Sequence, residues 1–345
     1  MHDRGPVLRL SLLAALAVTF TAAAFSGQST PSQDAVSLLR SYVRATDAEL
    51  KRLERGGVIS KTLDSPDGKE VTSFGAIRVA CTADVFAERV RDIERFKASE
   101  YVIQIGRFKA QPAPEDVLSL TLDVTDREAM RVCKPGNCGL RLPAAAMEHF
   151  RTSIPWGTPG ETDAAAAAMR QFLLEEARTY LKSGSTALPD YVDRAGTTPR
   201  AAAFRLLLRP SEFKAESQPE LFRWLDEFPR GTLEGADSFL YWSREKFGLK
   251  PTISISHSVI ARSHGAVVFG SKQVFASHYF ESSLGMALFI PVPGAAYGYV
   301  TYLNRSRVDT LRGFLAPLAR LVAARRAREG LDRMLTGVKG KLEKH

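Results

Sequence analysis

Residues 75–96 read GAIRVACTADVFAERVRDIERF, a short β-type run followed directly by an amphipathic helical pattern. Thr82 is a residue type that caps helices, so we expect a helix over 85–91. A second short helix is expected over 92–97, and YVIQIGRF at 101–108 has the composition of another strand. The stretch therefore predicts a strand, two helices and a strand in close succession.

Upstream of this stretch, apolar residues at helical spacing predict one amphipathic helix over 33–55, which Gly56 and Gly57 end. VISKTL at 58–63 and VTSFGAIRVAC at 71–81 then read as strands, separated by the turn-rich DSPDGKE. We expect two strands joined by a turn here.

The C-terminal part contains four β-type runs with short separators, SHG, SSLG and PGAA: 251–262, 266–281, 286–292 and 297–303. Separators this short predict consecutive hairpins, and so an antiparallel meander. After it, Asn304 or Ser306 is expected to cap a long C-terminal helix, because Ser306 and Asp309 have the spacing of a capping box. An apolar stripe in this helix continues to Leu342.

The N-terminal residues have the three-part layout of a secretory signal peptide. A short basic start precedes the apolar run LSLLAALAVTFTAAAF, and small residues follow. The apolar run is shorter than the about 20 residues that span a membrane, so we expect 1–26 to be cleaved; an uncleaved anchor is the alternative. The mature protein is then exported, to the periplasm or outside the cell.

Composition is that of a globular protein, with 45% hydrophobic and 25% charged residues in 345. We expect a first domain part over 33–110, a mainly helical insertion or subdomain over 111–248, and a completing part over 249–345.

The net charge of +9 favours an acidic surface as a partner. Residues 305–345 hold eleven Lys or Arg against four acids, and Arg325, Arg326 and Arg328 are expected to contact an anionic membrane surface. Export argues against nucleic acid.

Two of the three cysteines, Cys133 and Cys138, flank a turn in CKPGNC. In an oxidising compartment this spacing predicts a disulfide, which leaves Cys81 unpaired. A metal site is not expected, because neither a second cysteine pair nor a nearby histidine completes a ligand set.

The order of these elements resembles the START-like helix-grip superfamily (SRPBCC), which includes lipid-transfer domains and polyketide-cyclase-like proteins. The residues that carry the resemblance are 71–108 and 252–344. The resemblance implies an α+β helix-grip fold, in which a curved antiparallel sheet surrounds the long C-terminal helix and leaves an apolar cavity. The long segment 111–248 departs from that pattern.

If a cavity exists, aromatic and histidine side chains of the strands are its candidate ligand-binding residues, because a tyrosine ring with its polar tip suits an amphiphile. They are Tyr241, Trp242, His257, Phe275, His278, Tyr279, Tyr297 and Tyr299. Ser254, Ser256 and Ser258 lie on one face of their strand and apolar residues on the other, and the sequence leaves open which face points inward.

The sequence contains no nucleophile elbow, phosphate loop or dinucleotide fingerprint, so no catalytic residue and no cofactor is assigned. The leading hypothesis is an exported protein that binds or transfers a hydrophobic or amphiphilic small molecule, such as a lipid. The alternatives are a cyclase- or hydrolase-like enzyme with His257 or His278 as general base, and a structural or interaction protein whose cavity is filled.

Overall fold

The computed structural model describes the chain in seven segments, and in the last helix it describes the side chains of Arg325 and of residues 328–344. The segments are 35–65, 67–194, 196–209, 219–247, 250–263, 265–308 and 316–344. The predicted signal peptide, 1–26, lies outside the described residues.

Eight strands form one antiparallel sheet, and two further strands form a small hairpin. The strands are β1 Ile59–Leu63, β2 Glu70–Val79, β3 Val102–Arg107, β4 Tyr191–Asp193, β5 Gly196–Thr198, β6 Asp237–Lys246, β7 Pro251–Ser263, β8 Ala266–Ala276, β9 Phe280–Pro291 and β10 Gly298–Val308. The sheet order is β1-β2-β10-β9-β8-β7-β6-β3, and β4 pairs with β5.

Most of the helices fall before the meander. These are α1 Ala35–Val43, α2 Asp47–Glu54, α3 Ala83–Arg91, α4 Ile93–Lys97, α5 Val124–Val132, α6 Ala144–Ser153, α7 Glu161–Ser183, α8 Arg200–Leu207 and α9 Pro219–Glu227. The long helix α10, Ala316–Leu342, follows the meander. The chain is thus α+β with a large antiparallel sheet and a long last helix, which confirms the predicted helix-grip-like fold class.

One face of the sheet carries α3, α4 and α10. Leu331 and Leu335 of α10 pack where β2 has Gly75, and Phe86 of α3 stacks on Phe289 of β9 with ring centroids 5.4 Å apart. Glycine allows this close approach at position 75, because a Cβ there would lie 2.5 Å from Leu335 Cδ1 and the helix side chains would have to shift. We call this face the α10 side.

The opposite face carries the remaining helices, and we call it the insertion side. Apolar residues of α1, α2, α8 and α9 pack on one half of it, and those of α5, α6 and α7 pack on the half formed by β6, β7 and β8. The sheet is therefore the middle layer of three, with both faces buried over much of their area.

Three element boundaries differ from the sequence expectation. The single helix expected over 33–55 is replaced by α1 and α2, because Thr46 caps α2 with a capping box to Glu49. The turn after β8 falls at 277–279, where Tyr279 has a φ of +63°, so SSLG belongs to β9. Asn304 and Ser306 lie in β10 rather than at a helix start.

Strand β6 lies inside the segment expected as an insertion. It pairs with β3 on one side and with β7 on the other, which makes it part of the main sheet. The helical segment that covers the insertion side therefore ends before Asp237 in the chain.

Candidate functional site

The serines of β7 point to the α10 side. Residues alternate between faces along a strand, and in β7 Ile255 and Val259 pack with the insertion-side helices whereas Ile260 packs with α3 and α10. Ser254, Ser256 and Ser258 share the face of Ile260, and all three are buried. The sequence left open which face these serines occupy; their hydroxyls lie on the α10 side of the sheet.

Sheet register extends these serines into a row of small polar residues across six adjacent strands. Residues directly opposite one another in neighbouring strands share a face. The aligned residues, from β1 to β7, are Thr62, Ser73, Asn304, Gly285, Ser271 and Ser258. We call this row the polar band. Ser258 is fully buried in it and Ser73 nearly so.

Hydrogen bonds between side chains continue the polar band toward one end of β9 and β10. Ser306 donates to Asn304 Oδ1 at 2.7 Å, and its Oγ lies 2.8 Å from Ser283 Oγ. On β6, Ser243 lies 3.1 Å from Ser254 and donates to Glu245 at 2.6 Å. The floor of this face is therefore built largely from hydroxyl and amide groups.

Charged and phenolic groups border the band at β6 and α4. Lys97 Nζ lies 2.9 Å from Glu245 and 5.5 Å from the ring centre of Tyr241. Burial opposes the charge on Lys97, but the Glu245 carboxylate outweighs it and holds the pKa of Lys97 above its ordinary value. Burial raises the pKa of Tyr302, and its hydroxyl accepts a hydrogen bond from Asn304 Nδ2 at 3.4 Å.

The same face is apolar toward the opposite end of the strands. One cross-strand row consists of Ile77, Val300, Phe289 and Val267, and the row between it and the band contains Ala287, Phe269 and Ile260. These rows pack with α3 and α10. The α10 side thus changes from apolar to polar within two residues along each strand.

A groove opens at the β1 edge of this face, between α2, β1 and α10. Its volume is about 410 Å³, and its lining residues are Glu49, Arg52, Ser60, Lys61, Thr62, Arg328 and Asp332. Ser60 lies opposite Gly75, on which α10 packs, so Ser60 and Thr62 belong to the α10 side. Pockets of 300–1,000 Å³ are the size that accommodates small molecules.

The insertion side holds two buried basic groups of unusual pKa. His257 Nδ1 lies 2.9 Å from the hydroxyl of Tyr180, and burial, together with the nearby Lys272, lowers its pKa to about 3. Lys272 donates to the Leu225 carbonyl at 2.6 Å, and burial lowers its pKa to about 7. His257 is therefore a neutral group enclosed by Tyr180, Trp224 and Phe228.

The aromatic and histidine residues predicted to bind ligand are not gathered in one pocket. Tyr241 faces the α10 side, whereas Trp242 and Phe275 belong to the core on the insertion side, with His257 beside them. Tyr299 donates to Glu54 at 2.5 Å on the insertion side, and Tyr297 stacks there on the guanidinium of Arg78.

The other two predicted residues lie in the β8–β9 turn. His278 Nε2 lies 3.0 Å from Asp126 of α5, and both side chains are buried. The Tyr279 hydroxyl accepts a hydrogen bond from the backbone N–H of Lys250. These contacts tie the turn to neighbouring segments.

The three basic residues predicted for membrane contact also differ from one another. Arg325 pairs with Glu329 at 2.9 Å and is largely exposed, and Arg328 lines the groove. The side chain of Arg326 lies outside the described residues.

Cys133 and Cys138 form the predicted disulfide, directly after α5, and Cys81 is a free, buried thiol. Burial raises the pKa of Cys81 to about 11, so it stays protonated. Across the described segments, no three His, Cys, Asp or Glu side chains are grouped so as to hold a metal ion. Among the same residues, no helix has both the length and the apolarity to cross a membrane.

The chain matches no protein-family model and no curated protein. It is similar to solved structures of the SRPBCC-type fold. TTHA0849 from Thermus thermophilus is 12% identical, with a TM-score of 0.24, over 41% of this chain and 88% of that one. Zhui aromatase/cyclase from Streptomyces sp. R1128 is 13% identical, with a TM-score of 0.25, over 42% and 86%.

Norcoclaurine synthase from Thalictrum flavum, in complex with dopamine and hydroxybenzaldehyde, is 12% identical, with a TM-score of 0.18, over 37% of this chain and 78% of that one. Likenesses this weak carry no argument about ligand or activity. The chemistry of the site therefore has to follow from this chain's own residues.

Proposed function

We propose that this chain is a START-like protein that binds or transfers an amphiphilic small molecule of the lipid type on the α10 side of its sheet. The observation that supports the proposal is the polar band beside the apolar rows on one face. An amphiphile matches such a face, because its chain suits apolar residues such as Phe289 and Phe269, on which α3 and α10 pack in this structure, while its polar end suits Ser271 and Asn304. Binding then requires these helices to give way to the chain.

The two halves of the face contribute different things to binding. Apolar burial supplies most of the affinity, at about 25 cal/mol per Å² before the costs of ordering the ligand. Hydroxyl and amide side chains orient the polar end, because a ligand group that leaves them unpaired loses their hydrogen bonds. Specificity is then expected to depend on the band and affinity on the apolar rows.

A cyclase- or hydrolase-like enzyme receives less support from this geometry. His257 is enclosed on the insertion side against Tyr180, and His278 is held by Asp126 in the β8–β9 turn. A general base has to reach the proton that it removes. For a substrate bound at the band, neither histidine lies on the face that the substrate would occupy.

Export and membrane contact belong to the same proposal. The pattern of residues 1–26 and the Cys133–Cys138 disulfide support export, and N-terminal sequencing of the mature protein tests it. The exposed Arg325 and Arg328 support contact with an anionic membrane, together with Arg326.

The test of ligand binding is native mass spectrometry of the protein purified from its own host, followed by rebinding of the recovered amphiphile. Ser271→Leu should weaken rebinding at least about 10-fold, because its side chain fills the band next to Ser258. Ser271→Ala should weaken it less, because only a hydroxyl is lost. Ser238→Leu is the matched control: it makes the same change at an exposed position of β6 on the insertion side.

Circular dichroism and thermal unfolding should show that all three variants are folded. A wild-type protein that carries no amphiphile and rebinds none contradicts the proposal. Equal rebinding by Ser271→Leu and Ser238→Leu contradicts the placement of the ligand on the band.

A further inference from the structure

Two guanidinium groups line the groove between α2, β1 and α10. Arg52 comes from α2 and Arg328 from α10, and both side chains are exposed. Among the described residues, neither guanidinium has an ion-pair or hydrogen-bond partner. Two cations from separate elements therefore line one groove without an ion pair among the described residues, although the carboxylate of Asp332 lies in the same groove.

The third basic residue of the groove is already engaged. Lys61 pairs with Glu49 at 3.0 Å and donates to the carbonyls of Val43 and Arg44. Although burial opposes it, hydrogen bonds from Thr46 and Lys61 lower the pKa of Glu49, so this carboxylate stays charged and keeps Lys61 occupied. The ammonium group of Lys61 is thus already paired, whereas the guanidinium groups of Arg52 and Arg328 have no ion-pair partner among the described residues.

We infer that this groove binds a phosphate-type oxyanion between Arg52 and Arg328. Guanidinium groups form paired hydrogen bonds with oxyanions, and one arginine is enough for the two oxygens of a carboxylate. A phosphate presents three or four oxygens, so it can engage both arginines and also accept from the hydroxyls of Ser60 and Thr62 on the groove floor.

The register connects the groove to the polar band, and here the inference rests on the proposed function. Thr62 lines the groove and lies directly opposite Ser73, the next member of the band. An amphiphile whose polar end carries a phosphate would place that phosphate in the groove and continue along the face. The same oxyanion chemistry is offered by a free phosphate, so the experiment has to separate the two sources.

Asp332 provides a second test, in which phosphate binding should become tighter rather than weaker. Its carboxylate lines the groove one helical turn from Arg328, and no described residue pairs with it. A like charge beside a bound phosphate weakens binding. Asp332→Asn should therefore tighten phosphate binding, whereas a groove that does not bind phosphate gives no change.

The experiment is titration calorimetry in phosphate-free buffer with four probes: inorganic phosphate, glycerol 3-phosphate, a lysophosphatidic acid below its micelle concentration, and the uncharged monoacylglycerol with the same chain. Arg52→Gln and Arg328→Gln should each weaken the phosphate-bearing probes at least about 10-fold. Arg333→Gln is the matched control, because Arg333 lies on the same helix but outside the groove lining, with its guanidinium over the Tyr101 ring.

A lysophosphatidic acid that binds much more tightly than glycerol 3-phosphate identifies the lipid head group as the source, and similar affinities identify free phosphate. Equal affinity for phosphate-bearing probes in wild type, Arg52→Gln and Arg328→Gln overturns the groove inference. If phosphate binding depends on both arginines but monoacylglycerol does not bind and Ser271→Leu has no effect, the proposed function fails while the groove inference stands.

Discussion

The two faces of the sheet are buried in different ways. On the α10 side the buried polar groups are mostly hydroxyls and amides, as in the band from Ser73 to Ser258. On the insertion side they include charged groups, among them the Arg200–Glu176 pair and the lone Lys272. Hydroxyls can exchange a neighbour for a ligand at low cost, whereas a buried charge requires its fixed partner. The contrast fits the proposed ligand site on the α10 side and a fixed attachment of the helices on the insertion side.

Breaking the Arg200–Glu176 pair is the strongest test of this contrast. The two side chains are 2.5 Å apart and buried, and Arg200 also donates to the carbonyls of Val274 and Pro189. Arg200→Met leaves Glu176 as an unpaired buried charge, and we expect a loss of about 3–5 kcal/mol in the free energy of unfolding. Denaturant unfolding followed by circular dichroism measures it.

The control for this variant is Arg205→Met, on the same helix α8. Arg205 pairs with Asp226 at 3.0 Å, but its side chain is 52% exposed. An exposed pair contributes at most about 1 kcal/mol. Equal losses for the two variants would show that the buried pair has no special role in attaching the insertion.

Lys272 provides a pH-dependent test of the same face. Burial lowers its pKa from 10.5 to about 7, and Asp226 and Arg205 act on it in opposite directions. Between these two pH values the unfolded chain binds the proton that the folded chain has released, so stability should rise as the pH rises from 7 to 10.5. Below pH 7 both states carry the proton, so the stability no longer changes with pH through this group and the full cost of burying its charge remains.

Lys272→Met should remove that rise and stabilise the protein at pH 7 by up to about 4 kcal/mol, because no charge then has to be desolvated. The lost hydrogen bond to Leu225 reduces the gain by about 1 kcal/mol. Thermal unfolding of wild type and variant between pH 7 and pH 10 measures both effects. Parallel pH profiles would mean that Lys272 keeps its ordinary pKa in the folded protein.

Much of the fold could be predicted from local patterns. The hairpin of β1 and β2, the two helices after Thr82 and the meander are specified by spacing, capping residues and short turns close to one another in the chain. Strand β6 could not be placed in this way, because what makes it a central strand is its pairing with the distant β3 and β7. Tyr279 adopts its left-handed turn in a sequence that contains no glycine there.

The candidate site was much less predictable than the fold. The sequence indicated that Ser254, Ser256 and Ser258 share a face, but the polar band exists only because the register aligns Ser73, Asn304 and Ser271 with Ser258. Likewise, Arg52 and Arg328 meet in the groove because α10 returns to the edge strand β1. Aromatic residues were predicted to bind ligand because of their chemistry, yet most of them pack on the insertion side.

A smaller effect is expected where α10 contacts the sheet, at Gly75. Gly75→Val would bring its Cβ to 2.5 Å from Leu335 Cδ1 and 3.0 Å from Leu331, so the helix has to shift away from β2. We expect a loss of about 1–3 kcal/mol in the free energy of unfolding, measured by denaturant titration. The control is Gly340→Ala on α10, where an added Cβ meets nothing within 4 Å and alanine favours the helix. Gly75→Val should also alter amphiphile binding at the proposed site, because the groove between α10 and β1 changes width. Gly340→Ala should leave amphiphile binding as it is.

Unchanged stability in Gly75→Val would mean that α10 does not pack closely on β2, and the α10 side would then lose the helix that defines it.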